Sequence, residues 1–236
     1  MAFPAIASIT TTASANSSGA SNDLTSTATV NSGDLLIAII GRRIVSATTW
    51  TPPTGWTEIV DVLPPTSNDA TLSVAYKIAD GTEGGTTITF TSSVTTSIRK
   101  GGFVIRITGW HGTTPPEAGT SGVTVGTGDP DPPSLTASWG SADNLWIVAS
   151  SATSQDSAGT APTNYTNFNT AGEAGATKWG INMATRENAV ATEDPGVIDW
   201  TTNPGGRVAC TIAVRPSVPK SMPLFRRPPR FISARF

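Results

Sequence analysis

Residues 31–43 read NSGDLLIAIIGRR, and Leu35 to Ile40 is an unbroken apolar run. That run restricts the fold more than any other stretch. A membrane-spanning helix needs about 20 apolar residues, so this one is too short. A strand with one wet face alternates apolar and polar side chains, and this one does not. What remains is a central strand covered on both faces, or the middle of a tight inter-sheet core. Gly33 and Asp34 precede it, Gly41 follows, and Arg42 and Arg43 mark where the chain leaves the core. The segment DNLWIVAS (143–150) has the same form. These two strands form the expected centre of the molecule, where each buried aliphatic side chain contributes roughly 1.5–3 kcal/mol.

The rest of the chain suits strands and turns. Its 236 residues include 38 Thr, 24 Ser, 23 Gly and 18 Pro. Ser and Thr compete with the helical backbone, and Gly and Pro interrupt it. Apolar runs recur with turn residues between them: LTSTATV, DLLIAII, TEIVDVL, TLSVAYKIA, TTITFTS and GFVIRITGW. The second half answers the first in order. SLTASW follows LTSTATV, DNLWIVAS follows GDLLIAII, APTNYTNF follows PPTGWTEI, and GGRVACTIAVRP follows GGFVIRITGW. The join GDPDPPS (128–134) is a Pro-rich turn rather than a spacer. The expected fold is all-β: a jelly-roll-like β-sandwich of about twelve strands in two pseudo-repeated halves. The halves span 23–112 and 120–216. Residues 1–22 are expected to be an extended N-terminal arm, and residues 217–236 a basic tail.

No basic, apolar leader opens the sequence, and no apolar stretch reaches the length of a membrane span. With one cysteine, Cys210, no intramolecular disulfide can form. The expectation is folding in a cytoplasm, without a membrane and without a cofactor.

The combination of SGDLLIAII, TPPTGWTEI, YKIADGTEGG and the Gly-rich strand ending RITGW resembles a widespread group of β-sandwich structural proteins. These are encoded by tailed bacteriophages and also occur on bacterial surfaces. The resemblance covers about residues 20–216 and rests on a GDLL strand, a PPxGW turn and a YKxAxGxE strand end. It implies a virion or cell-surface structural part, and it carries over no catalytic residues.

Few residues offer chemistry. The one histidine, His111, lies in a Gly-flanked turn, and no Gly-x-Ser-x-Gly elbow accompanies it. Cys210 sits inside an apolar run and reads as core. Three carboxylate pairs occur in turns: Asp129 with Asp131, Asp80 with Glu83, and Glu193 with Asp194. Asp in a turn commonly bonds its own backbone. Neither a catalytic nor a metal site is expected. Of the seven tryptophans, Trp146 and Trp179 lie within strands and read as core. Trp50, Trp56 and Trp110 lie at strand ends or turns and are candidate surface contacts, including for a host-surface glycan.

Charge is unevenly spread. Residues 217–236 carry five cations and no acid, whereas residues 1–216 carry 10 cations and 17 acids. The tail interleaves Phe225, Arg226, Arg227, Arg230, Phe231, Arg235 and Phe236 with prolines. An acidic body opposes nucleic-acid binding, and an extended Arg/Phe peptide suits docking into a groove on another subunit. The expectation from sequence is a phage virion protein, assembled in the host cytoplasm. It would act by protein–protein binding as a head decoration or spike protein, in a homo-oligomer with other virion proteins. A tail, collar or fibre component and a carbohydrate-binding adhesion module are the alternatives.

Overall fold

The structure is a computed structural model. It describes residues 2–17, 20–43, 49–62, 70–92, 98–124, 128–153, 159–173, 178–201 and 205–218. Among these there is no helix. There are sixteen strands, four of them two residues long, against the twelve expected.

The first half contributes β1 (Ala5–Ser17), β2 (Ser21–Thr25), β3 (Leu35–Arg43), β4 (Thr57–Val62), β5 (Ala70–Ile78), β6 (Thr87–Thr91) and β7 (Ile98–Thr108). The second contributes β8 (Glu117–Thr124), β9 (Leu135–Thr136), β10 (Asn144–Thr153), β11 (Gly159–Thr160), β12 (Thr166–Glu173), β13 (Trp179–Asn188), β14 (Thr192–Glu193), β15 (Asp199–Trp200) and β16 (Arg207–Val214). Each half builds its own five-stranded antiparallel sheet. The orders are β1-β7-β3-β5-β4 and β8-β16-β10-β13-β12, so corresponding strands occupy corresponding places. Even the irregularities match. β4 shifts register between Glu58 and Val60, and β12 between Thr166 and Asn169.

The two sheets face each other. Leu35, Ile37 and Ile39 of β3, Phe103 and Ile105 of β7, and Leu72 and Val74 of β5 pack in one core with Leu145 and Ile147 of β10, Ile181 and Met183 of β13, and Ile212 of β16. A Cβ added at Gly41 would lie 2.8 Å from Ser151 Oγ and 2.9 Å from the Trp179 ring. The late residues of β3 and β10 therefore meet, and the two central strands run the same way.

A further layer covers each sheet. β2 pairs with β6 over the first, bringing Leu24, Ile88 and Phe90 onto Ala38, Ile40 and Val104. Over the second sheet lie the pairs β11-β15 and β9-β14, with Trp200 and Ile198 packed on Val148 and Ala184. This accounts for the continuous apolar run. Leu35, Ile37 and Ile39 face the inter-sheet core, while Leu36, Ala38 and Ile40 face the outer layer, and all six have no exposed surface.

Two expectations are corrected. Residues 5–17 are no arm; they form the edge strand β1, paired with β7 from Ala5↔Thr108 onward. Arg42 does not mark an exit to solvent. It is fully buried, with its guanidinium 4.4 Å from the centre of the Trp50 ring and Nη1 donating to Ser92 Oγ at 2.8 Å. Burial pulls its pKa down to about 10, against the attraction of Asp61.

Candidate functional site

The residues carrying the sequence motifs gather at the pole where β3 and β10 begin. Leu35 is opposite both Ile78 and Ile107, and Leu145 is opposite both Glu187 and Val214. The segments beside these positions therefore converge there.

The GDLL motif works through its acid. Asp34 Oδ2 accepts from Asn31 N at 2.8 Å and from Arg106 Nε at 2.6 Å, closing the turn before β3 and tying it to β7. Trp110 Nε1 donates to Gly33 O at 2.8 Å over the same turn. In PPxGW, Gly55 has φ +85°, which a side chain disfavours. The second half places Asn164 there with φ +68°, the residue type that best tolerates this region after glycine.

The YKxAxGxE motif is an ion pair. Lys77 Nζ lies 2.7 Å from Glu83 Oε1, and the Asp80 and Gly81 amides donate to the same carboxylate at 3.1 Å. Burial pushes the Glu83 carboxyl up. The Lys77 and amide donors outweigh it and hold the group below its ordinary value. The second half repeats the device with other residues. Arg186 Nη1 meets Glu193 Oε1 at 2.6 Å, Asn188 Nδ2 donates to Oε2 at 2.8 Å, and the Tyr165 hydroxyl donates to Oε1 at 3.3 Å. Burial, then the neighbouring Glu193, pushes the Tyr165 phenol above its usual value. Sequence alone paired Glu193 with Asp194. The structure separates them, since Glu193 is buried and Asp194 is exposed. The signal that identifies Glu193 is its place in the repeat, matching Glu83.

The other candidates fall into place as structure. Asp129 Oδ1 accepts from Trp200 N at 3.0 Å and anchors the outer layer. His111 Nδ1 accepts from the Thr114 amide at 3.1 Å within its own turn. Cys210 is fully buried in the inter-sheet core, and burial pushes its thiol up to about 12. The folded protein should therefore resist iodoacetamide at pH 8 and react only on unfolding, because the thiolate is the nucleophile. Labelling of the native chain as fast as that of the urea-unfolded chain would contradict this packing.

Two of the three candidate surface tryptophans are corrected. Trp50 is 2% and Trp110 5% exposed, so neither offers a face to a ligand. Trp56 is half-buried, edge-on to Phe90 at 6.3 Å. The apolar faces of these rings cover strand ends. Trp146 and Trp179 are fully buried, as read from sequence. The tail residues Phe225, Arg226, Arg227, Arg230, Phe231, Arg235 and Phe236 lie outside the described residues.

The same pole is acidic. Asp34, Glu83 and Glu193 are matched by Arg106, Lys77 and Arg186. Five more acids sit there, Asp80, Glu117, Asp143, Glu187 and Asp194, with Arg215 as the one additional cation among the described residues. Between the β1 and β12 edges a cavity of about 460 Å³ opens at this pole. Ala5, Ile6 and Leu145 give it an apolar floor, and Asn167, Arg186 and Glu187 give it polar walls. A second opening, of about 320 Å³, lies beside Ser8, Thr27 and Arg106. Among the described residues no group of three His, Cys, Asp or Glu is placed to hold a metal ion, and no helix is long and apolar enough to cross a membrane. No protein-family model, no curated protein and no solved structure matches the chain.

Proposed function

We propose that this chain is a bacteriophage virion structural protein, a head decoration or spike that works by binding other virion proteins, in a homo-oligomer. The observation that carries the reading is the use made of the motif residues. Asp34, Glu83 and Glu193 each hold a strand end by an ion pair and further hydrogen bonds. They stiffen a layered body rather than line a cleft. A rigid acidic body bearing a tail of five cations is suited to repeated protein contacts. The fold reads as jelly-roll-like within each half. In the first half the chain passes from the five-stranded sheet (β1) to its cover (β2), returns for β3, β4 and β5, and crosses again to β6 before closing with β7, so that β1 lies beside β7 and β2 beside β6. The adhesion reading rested on exposed tryptophans, and Trp50 and Trp110 are not available to it.

Quantitative mass spectrometry of purified particles from a phage encoding the chain tests the proposal, with peptides scaled to the major capsid protein. One copy per capsid subunit, or per few subunits, supports a decoration protein. A few dozen copies or fewer would move it to the collar, tail or fibre. Absence from the particle would overturn the virion assignment.

A further inference from the structure

The acidic pole is also where the basic tail leaves. Pro216 bridges to Trp110, Ser217 N donates to Gly109 O at 2.9 Å, and Val218, the last described residue, is 56% exposed. The tail thus starts at the pole that carries the surplus of carboxylates and the larger described cavity. Leu145, on the cavity floor, is the direct strand partner of Val214, two residues before Pro216. Phe225 follows Val218 by seven residue steps. Extended at roughly 3 Å per residue they reach about 20 Å, which is several strand spacings.

From these observations we infer that the cavity between β1 and β12 is the receptor for the segment FRRPPRF, residues 225–231 of the same chain. The chemistry matches on each count. Phe225 or Phe231 supplies a flat apolar group for the apolar part of the lining, chiefly Ala5 and Ile6. Arg226, Arg227 and Arg230 supply cations for Glu187 in the cavity lining and for the exposed Asp194 at the same pole. Arg186 does not oppose them, because Glu193 already neutralises it at 2.6 Å. Pro228 and Pro229 each have a ring-restricted φ, which lowers the conformational entropy that docking would cost. Connection through a short linker gives the tail an effective concentration in the millimolar range, so the intramolecular contact wins in dilute solution. The same contact made between crowded copies would link them. That last step alone rests on the virion reading.

The test uses the full chain labelled with ¹⁵N. The backbone amides of Phe225, Arg226, Arg227, Arg230 and Phe231 should show the heteronuclear NOE of an ordered segment, unchanged on tenfold dilution. The Asn164 and Asn167 side-chain amides, beside the cavity, should shift in Phe225→Ser/Phe231→Ser. In Glu187→Lys, trypsin cleavage after Arg226 and Arg230 should quicken by about tenfold, the loss of one charge-assisted contact. A segment as mobile as a free peptide in the wild type would overturn the inference, as would order indifferent to both variants. Order that vanishes on dilution would assign the cavity to a second copy's tail and overturn the intramolecular latch. None of these results depends on whether the chain is found in a virion.

Discussion

Gly102→Ala is expected to cost about 3–5 kcal/mol, a large share of the 5–15 kcal/mol that holds a typical domain folded. Gly102 lies on β7, between Ile40 of β3 and Thr12 of β1. A Cβ there would sit 2.0 Å from the carbonyl oxygen of Ile39 and 3.1 Å from the Ile40 Cα. Both obstacles are backbone, so no side-chain rotation relieves them. Neither strand can retreat, because β7 is held by β1 and β3 is held by β5. The pseudo-repeat suggests the opposite outcome. The matching position of the second half is Ala209, paired with Ser150 of β10 as Gly102 is with Ile40. Judged by the repeat alone, alanine at 102 is harmless. Judged by the strand approach, it is not. Gly119→Ala on β8 is the control, since its Cβ would meet only Pro133 and Leu135 side-chain atoms at 3.6 and 3.7 Å, ordinary contact distances. Urea unfolding of both variants decides the matter, and equal midpoints would mean that β3 and β7 are not so close.

How far the sequence discloses this fold depends on which residues carry the pattern. The β3 and β10 runs were readable because a strand covered on both faces has no polar interruption. The edge strand β1 was not, for two reasons. Its later half is Thr, Ser, Ala and Asn, and a register shift between Ile6 and Ser8 breaks the period-two pattern that Ile6 and Ile9 would otherwise display. The outer layer was harder still. β9, β11, β14 and β15 are two residues each, too short for any periodicity, and they exist because Trp200, Ile198 and Leu135 find apolar faces beneath them. Trp50 and Trp110 misled for a related reason. Turn positions are usually wet, but these turns fold over strand ends, and Arg42 and Gly33 O give the two rings polar company. The acidic pole is invisible in sequence because its carboxylates come from eight separate positions between Asp34 and Asp194.

Glu193→Ala should be the most costly removal of a charge, at about 3–5 kcal/mol, the usual loss when one member of a buried pair is deleted. Glu193 is 3% exposed, and both of its carboxylate oxygens are occupied by Arg186, Asn188 and Tyr165. The truncation leaves three donors facing a gap, one of them the phenol of buried Tyr165, which is packed with Val148, Ala184 and Trp200 and cannot turn to solvent without leaving that cluster. Glu83→Ala, its counterpart, should cost less, about 1–2 kcal/mol, because its donors have other recourse: the Asp80 and Gly81 amides lie in an exposed turn open to water. Lys77 can fall back on Asp80, whose carboxylate is 3.6 Å away and largely in solvent. Glu193→Gln should fall between the two, since it keeps an acceptor and the shape but loses the charge. Chemical denaturation of the three variants separates the cases. If Glu193→Ala and Glu83→Ala unfold at the same urea concentration, the two joints are interchangeable and the burial of Glu193 carries no extra weight. If the predicted order holds, the second half owes more of its stability to one carboxylate than the first does. The repeat then preserves the position of the acid, while the alternatives open to its donors set how much depends on it.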